Sequence, residues 1–465
     1  MRIYFDMNMS KPSLYDVFVD GIAGKKIRFL GAGGVGVNAL AKFCIDEGAI
    51  VSGSDRVKGD LAKQLETLGA KIDEGEVPKR IDGVDAVVFS SAIRDDNQEL
   101  ERARELGITT FERHEFLRLV ANCFDKVVGI AGSHGKTTVT AMLTHILLKA
   151  DENFASMIGG EGFGFSNYVN NRVDGESVFV TEACEYRRHM LALDVDVAVL
   201  LNKDWDHPDS YPTRKSVEEA FDEFVGKAKT KIVEGDSDCA VTVKDESGET
   251  CFEFEIIADV ARIFMGGELV GTLNAKAQGK YNVKNALFAV ATAYTLGVKP
   301  QFAVRSINSF EGVKRRFEKV AEIDGKPVVF DFAHHPTELE NLFERAKSFG
   351  DLLVVFQPHT YSRTKAYMND YIDVFAKSDN GIRTLILCPT YAAREAYDGS
   401  CSIDVLAERI MSKNAEKRVY VAKNILSTVE FAKMMAKCHD AILMVGAGDI
   451  YNLKAEFVDS SQIKK

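Results

Sequence analysis

Short apolar runs alternate along this chain with segments whose apolar residues recur every three to four positions. An apolar run bounded by Gly reads as a buried strand, and the i, i+3, i+4 recurrence as a helix with one face on a core. The sharpest instance begins at Lys126-Val127-Val128-Gly129-Ile130-Ala131, which breaks at Gly132. Val139, Met142, Leu143, Ile146 and Leu147 then follow at helical spacing. A strand, a Gly-rich turn and a helix beginning near Lys136 are predicted there. The same alternation predicts strands at Lys25–Leu30, Ala86–Phe89 and Ile108–Thr110, with helices over Val37–Asp46 and Gln98–Leu106. It also predicts strands at Val178–Thr181 and Val195–Leu201, and an Ala-rich helix from Gly279 through Leu296. From Cys239 to Asn274 the pattern changes to short alternating segments with turns at Glu246–Glu249 and Met265–Glu268, which predicts a small antiparallel β insertion. Strands are expected again at Val328–Phe332, Leu352–Phe356, Thr384–Cys388, Arg418–Val421 and Ala441–Val445, with helices between them.

Length turns this pattern into domains, since 465 residues are too many for one core. The expected fold class is α/β in three domains. These are an N-terminal Rossmann-like domain over 1–122, a central P-loop ATPase-like domain carrying the β insertion over 123–317, and a C-terminal Rossmann-like domain over 318–465. The 58 basic and 69 acidic residues give a net charge of -11 without long like-charge blocks, which argues against nucleic acid as the main partner. Eight scattered cysteines with no C-x-x-C pair are read as reduced thiols of a cytoplasmic protein. No apolar run approaches the roughly 18 residues of a membrane span, and Met1–Ser10 carries Asp6 with no signal-peptide core. No membrane partner is expected.

The turns after the predicted strands carry the candidate chemistry. In Gly132-Ser133-His134-Gly135-Lys136-Thr137-Thr138, backbone N–H groups and a helix N-terminus converge on a point suited to a nucleoside triphosphate. Lys136 can charge the outer phosphates, and the Thr137 hydroxyl can ligate Mg²⁺. Ile130 stands where the first Gly of the full G-x-x-x-x-G-K-T form would be. The bland alternative is an ordinary turn with a surface Lys. Gly31-Ala32-Gly33-Gly34-Val35-Gly36, with Asp55 beyond it, fits G-x-G-x-x-G and a ribose-binding acid. That suits the NAD of an oxidoreductase, the pyrophosphate of a UDP-linked substrate, or a tight turn with no ligand. Glu182 and His207 follow strands whose ends are expected to face the phosphate loop, where they could hold metal ions; Asp204 and Asp206 compete for that role. Their bland readings are a solvated strand-end acid and a packing His. Asn282 and Asn285 could read an adenine edge, or one of them could cap a helix. The basic stretch Gly312–Phe317 is either solvated surface or an anion clamp. The rims Asp331–Pro336, Gln357–Thr364 and Gly446–Asp449 suggest a small-molecule pocket, with a Zn²⁺ site of His334, His335 and His359 as a lesser option.

Taken in order, these blocks, with Ser90-Ser91-Ala92-Ile93 and Arg315-Arg316-Phe317, resemble the Mur ligase family over nearly the whole chain. The resemblance implies UDP-sugar, ATP and amino-acid domains in that order. It implies ATP-dependent joining of L-alanine to the lactyl carboxylate of UDP-N-acetylmuramate through an acyl phosphate, with Mg²⁺, in peptidoglycan precursor synthesis. A recycling ligase that adds a peptide to the same sugar is the alternative inside the family; a catalytically silent nucleotide-binding regulator is one outside it. Carried over residue by residue, Lys136, Glu182 and His207 are catalytic, and Thr137, Glu182 and His207 hold metal. Gly132–Thr138, Asn282, Asn285, Arg316 and Asp331 take ATP. Gly31, Gly33, Gly34, Gly36, Asp55, Ser90 and Ser91 take the UDP-sugar, and His359, Tyr361 and Arg363 the amino acid, with Arg363 on its carboxylate. The protein is expected to be a monomer or weak homodimer. Thr360 stands in place of a frequent Arg, Cys184 of an Asp and Tyr281 of a His, and Val37-Asn38 replaces Met-Ser. The variants around Cys184 and Thr360 resemble a subgroup of the alanine-adding members.

Overall fold

A computed structural model describes Phe18 and residues 21–236, 239–275, 279–393, 395–397, 399 and 401–458. Met1–Ser10, read above for a signal-peptide core, lie outside them. No helix among the described residues is long and apolar enough to cross a membrane.

The first sheet is all parallel, in the order β3-β2-β1-β4-β5. Its strands are β1 (Lys26–Leu30), β2 (Ile50–Asp55), β3 (Lys71–Glu74), β4 (Ala86–Phe89) and β5 (Thr109–Glu112), with helices α1 (Val35–Asp46), α2 (Asp60–Thr67), α3 (Gln98–Glu105) and α4 (Arg113–Ala121). Four successive buried residues of β1, from Ile27 to Leu30, belong to a strand covered on both faces. One of them is Arg28, whose Nε donates to Glu99 at 2.9 Å and whose Nη2 donates to Asp73 at 3.0 Å. The strand order reverses beside β1, so the Gly-rich turn after β1 opens into the crevice where such sheets take ligands. Gly53 lies directly beneath it. A Cβ there would stand 2.7 Å from the Phe29 carbonyl oxygen and 2.9 Å from the Ala32 Cβ. Gly53→Ala is therefore expected to destabilise this domain by about 1–3 kcal/mol, read as an earlier first transition in urea unfolding of the whole chain. An unshifted transition contradicts the close approach.

The second sheet has ten strands in the order β15-β14-β13-β12-β11-β10-β6-β9-β7-β8. Its parallel centre is β6 (Lys126–Ala131), β7 (Phe154–Met157), β9 (Val178–Glu182), β10 (Val197–Leu200) and β11 (Thr230–Glu234). Antiparallel β8 (Tyr168–Asn171) closes one side. The β insertion is antiparallel as expected, but β12 (Val241–Asp245), β13 (Gly248–Ile257), β14 (Val260–Met265) and β15 (Glu268–Asn274) extend the same sheet past β11. One expectation fails here. Cys239 and Cys251, taken as reduced thiols, are joined in a disulfide across the start of this extension. Their partnership comes from the β12–β13 register, which scattered sequence positions do not reveal. Helices α5 (Lys136–Lys149), α6 (Arg214–Gly226), α7 (Lys280–Thr295) and α8 (Pro300–Ile307) complete this part. The predicted apolar stripe of α5 is wholly buried, in one core with Val283, Leu287 and Val290 of α7.

The third sheet runs β16-β17-β21-β18-β19-β20 and is parallel apart from the edge strand β16. It comprises β16 (Glu318–Ile323), β17 (Lys326–Asp331), β18 (Leu352–Phe356), β19 (Ile382–Leu387), β20 (Arg418–Val421) and β21 (Ala441–Val445). Around it lie α9 (Pro336–Ala346), α10 (Tyr361–Ala366), α11 (Met368–Ala376), α12 (Ile403–Lys413), α13 (Ser427–Met435) and α14 (Lys454–Phe457). Strands β4, β18, β20 and β21 have the predicted bounds. Strands β3, β7, β8 and β16, each short or polar, were not signalled by an apolar run. The chain forms two compact units, 1–205 with 213–311, and 206–212 with 312–465. The first two sheets therefore share a unit.

Candidate active site

The phosphate loop is shaped by two glycines in the left-handed region, Gly132 at φ +136° and Gly135 at φ +88°. A Cβ on Gly132 would meet Leu201 Cβ at 3.0 Å, and one on Gly135 would meet Asn285 Oδ1 at 2.9 Å. Helix α5 begins at Lys136 with no side-chain cap and no acid in its first turn, so its positive end is directed at whatever occupies the loop. Because β10 lies beside β6, Asn202 reaches the loop and braces it. Its Oδ1 accepts the His134 N–H at 3.1 Å, and its Nδ2 donates to the His134 carbonyl at 2.9 Å. The Ser133 hydroxyl donates to the Asp204 carbonyl.

Lys136 is folded back on this loop. Its ammonium donates to the Gly132 and Ser133 carbonyls and lies 2.7 Å from Glu185 Oε2. Burial works against its charge, yet Glu185, then Cys184 and Glu182, hold its pKa above the ordinary lysine value. A half-buried cation with carbonyls and a carboxylate as stand-in acceptors is poised to exchange them for phosphate oxygens. Glu185 had no role in the sequence reading; it follows β9, which pairs with β6, and only that pairing brings it to Lys136. Glu182, at the end of β9, accepts the Gly159 N–H. Helix α7 is capped by Gly279 at φ +76°, so neither Asn282 nor Asn285 is its cap. Instead Asn285 Nδ2 donates to Asn282 Oδ1 at 3.0 Å, with Asn285 buried against the phosphate loop.

The same unit contains the first Gly-rich turn. The Gly33 N–H donates to Asp55 Oδ2 at 2.7 Å, Gly31 packs on Ser90, and Gly34 is the uncapped N-cap of α1. Gly31, Gly33, Gly34, Asp55 and Ser90 are thus brought together, while Ser91 sits in the turn after β4. Sequence reasoning passed over Arg113. A Cβ on Gly36 would meet its Cδ at 3.1 Å and its Nη1 at 3.3 Å, so a guanidinium stands at the turn.

In the other unit, Arg363 Nε donates to Asp206 Oδ1 at 3.0 Å and Nη2 to Asp206 Oδ2 at 3.3 Å, with both side chains buried. The resemblance puts Arg363 on the amino-acid carboxylate; in the fold a protein carboxylate occupies it. Burial opposes ionisation of Asp206, but Arg363, then His207, hold it well below the usual carboxylate range. Arg363 Nη1 lies 3.0 Å from His359 Nδ1. Arginine only donates, so this nitrogen accepts and the His359 proton sits on Nε2. Burial and the Arg363 charge push His359 down to about 4. Nitrogen NMR of labelled histidine should therefore find this imidazole neutral, as one tautomer, from neutral pH down to about pH 5; a midpoint above 6 contradicts the geometry.

Among the described residues, the ligand atoms of His334, His335 and His359 do not gather as a metal-binding trio, against the lesser zinc option. His335 is the N-cap of α9, its Nδ1 accepting the Thr337 N–H at 3.2 Å, and its ring meets Tyr367 edge-on. His334 Nδ1 faces the Phe332 carbonyl at 3.0 Å. Asp331 ties the basic turn by accepting the Phe317 and Ala333 N–H groups, each at 2.7 Å. Arg316 lies over the Phe332 ring and 3.8 Å from Glu338. Tyr361 packs on Tyr397, and His207 sits at φ +56° on the 206–212 segment of this unit.

Three family models match consecutive stretches: the Mur ligase family catalytic domain over 26–125, the Mur ligase middle domain over 130–293, and the Mur ligase glutamate ligase domain over 315–448. The UDP-N-acetylmuramate–L-alanine ligase of Caldanaerobacter subterraneus is 33% identical, over 94% of this chain and 98% of its own. The chain belongs to the Mur ligase family. The Clostridium novyi member bearing the same name is 34% identical, over 94% of this chain and 98% of its own. Among solved structures, the UDP-N-acetylmuramate–alanine ligase of Thermotoga maritima superposes with a TM-score of 0.75 at 24% identity, covering 95% of this chain and all of that one. A murein peptide ligase from Psychrobacter arcticus gives 0.69 at 21% identity, covering 93% and 98%. At these identities the two structures speak for the three-domain α/β fold of Mur ligases alone.

Proposed function

We propose that this Mur ligase joins L-alanine to the lactyl carboxylate of UDP-N-acetylmuramate, forming ADP and phosphate, in peptidoglycan precursor synthesis in the cytoplasm. The observation that carries this reading is the half-buried Lys136 at the start of α5, its ammonium held by loop carbonyls and Glu185, in a chain with relatives of that name along nearly its full length. The N-terminal residues 1–122 take the UDP-sugar, 123–317 take ATP and 318–465 take the amino acid, in a monomer or weak homodimer. Gly31–Gly36, Asp55, Ser90, Ser91 and Arg113 cradle the sugar nucleotide's pyrophosphate and ribose. Asn282 and Asn285 serve the nucleotide in the first unit; Arg316 and Asp331, in the second, are assigned to ATP on the resemblance alone.

A carboxylate is a poor electrophile, so it is first phosphorylated. The lactyl oxygen attacks the γ-phosphorus of ATP, the bond to the β-phosphate oxygen breaks, and an acyl phosphate and ADP result. Lys136 releases Glu185 and neutralises charge on the phosphoryl in flight, which is mainly electrostatic work. Thr137 and Glu182 offer hard oxygen donors beside the loop, and Thr137 is buried, a set suited to Mg²⁺; His207 would serve a second ion. When bound, Mg²⁺ supplies phosphate charge neutralisation. The neutral amine of L-alanine then attacks the acyl carbon and phosphate leaves. His359 and Tyr361 face the amino acid, and its carboxylate competes with Asp206 for Arg363.

The test is phosphate release by the purified chain with UDP-N-acetylmuramate, ATP and, in turn, L-alanine, L-serine, glycine and a muramyl-type tripeptide. Turnover with L-alanine is expected. Turnover with the tripeptide alone would make it the recycling ligase, and ATP left intact throughout would reject the reading.

A further inference from the structure

Between β7 and β8 the chain runs through residues 158–167, a connection gripped at both ends. At its start the Gly159 N–H donates to Glu182 Oε1, and a Cβ on Gly159 would stand 2.6 Å and 2.7 Å from the two Glu182 oxygens. At its end lies Asn167, wholly buried. The Asn167 Nδ2 donates to the Val35 carbonyl at 2.9 Å and to Asn38 Oδ1 at 3.2 Å. Its Oδ1 accepts from the Lys42 ammonium at 2.7 Å and from the Ser166 hydroxyl at 3.0 Å. Both donors and both lone pairs of the amide are thereby engaged. Asn38 in turn donates to the Ala32 carbonyl, inside the first Gly-rich turn, at 3.3 Å.

The two ends are also tied to each other. The Ile158 N–H donates to the Asn167 carbonyl at 2.8 Å, so a shift of Asn167 is carried to the residue before Gly159. Midway, Glu161 accepts from Gln64 Nε2 at 2.9 Å, and Gln64 Oε1 accepts from Lys42 at 2.8 Å. The connection therefore hangs on α1 and α2 beside the first sheet while it presses on the last residue of β9 in the second, all within one compact unit. A chain of bonds leads from Ala32 through Asn38, Asn167 and Ile158 to Gly159 and Glu182. Asn38, Lys42 and Asn167 are buried, where a lost partner costs most and a satisfied network holds its geometry tightly. Gly159 is exposed, so the Glu182 end stays open to a ligand.

We propose that Asn167 is a positioning residue that sets the first Gly-rich turn against Glu182, so that ligands at the two sites strengthen each other's binding. This rests on the reading that the Gly31–Gly36 turn takes UDP-N-acetylmuramate and that Glu182 serves the nucleotide's metal. A pyrophosphate on the turn orders Ala32 and the start of α1. Asn167 passes that order to the connection, and Gly159 passes it to the Glu182 carboxylate. Each ligand then orders residues that the other also needs, the ordering entropy is lost once, and the two bindings become cooperative. Being wholly buried, Asn167 acts only through these neighbours.

The test is calorimetry on the full chain with UDP-N-acetylmuramate and the Mg²⁺ complex of a β,γ-imido analogue of ATP, with no amino acid present. Wild type should bind each ligand at least about fivefold tighter when the other is saturating, by the same factor in both directions. In Asn167→Ala each ligand alone should bind within about threefold of wild type, while the mutual factor falls to about one. An undiminished factor in the variant, or a factor of one in wild type, overturns the proposal. So does a variant that binds either ligand alone more than about tenfold more weakly, which would make Asn167 a structural prop. If Asn167→Ala does not melt cooperatively, Lys42→Gln takes its place and should at least about halve the factor; an unchanged factor there has the same force. Wild type that fails to bind one of the ligands removes the functional reading and this inference with it, whereas two ligands bound independently remove this inference alone.

Discussion

Lys136→Ala should lower ADP formation by about 1000-fold or more, because the transition state loses the one cation the loop places on the moving phosphoryl. The physical case rests on where Lys136 sits. It is the first residue of α5, behind a loop whose two left-handed glycines and Asn202 brace hold its shape alongside the lysine's own bonds to the Gly132 and Ser133 carbonyls. The loop should therefore survive the substitution, and UDP-N-acetylmuramate, for which the separate Gly31–Gly36 turn is the proposed site, should bind within a few-fold of wild type by calorimetry. The pairing with Glu185 complicates matters, since the variant also removes that acid's cation. Lys136→Ala/Glu185→Gln separates the two effects: any lost thermal stability should return while ADP formation stays absent. Near-normal turnover in Lys136→Ala would displace the lysine from the chemistry.

Arg363→Ala should cost the C-terminal unit about 3–5 kcal/mol, because it strands the buried Asp206 carboxylate that the guanidinium grips with two bonds. The pH dependence carries a sign. In the wild type Asp206 is held below its unfolded value, so the pair's stabilisation is fully present above the ordinary carboxylate range near about 4, and fades as pH falls through the lower folded value. Without Arg363 the same burial favours the protonated acid. The variant's deficit should therefore shrink on acidification from neutral pH to about 5, a window in which the loss of an ordinary surface pair would leave the deficit unchanged. Arg363→Lys keeps the charge but loses the fork, and should fall between. Asp206→Asn in the Arg363→Ala background should recover much of the stability. The same Arg363 variants should raise the KM for L-alanine, and an unchanged KM would remove Arg363 from amino-acid binding.

The sequence determined by itself that there are three α/β parts, and where each Gly-rich turn lies. Those signals are local. A strand, its terminal glycines and the apolar stripe of the next helix occupy neighbouring positions, and Lys136 at a helix start follows from that spacing alone. The β insertion was legible for the same reason, since alternation is a nearest-neighbour property, but its place at the edge of the central sheet was not. Short polar strands such as β3 and β16 escaped because they bury too little apolar surface to leave a run.

Tertiary structure alone decided who meets whom. Arg28 and Glu99 are 71 residues apart, and Asp206 and Arg363 157 apart; each pair is legible only once strand order has brought its ends together. The Cys239–Cys251 bond is of the same kind. A lone charged or ligating residue reads as solvated surface until its partner is known. The register and sequence of strands in the sheet supply that partner, and no local pattern encodes them.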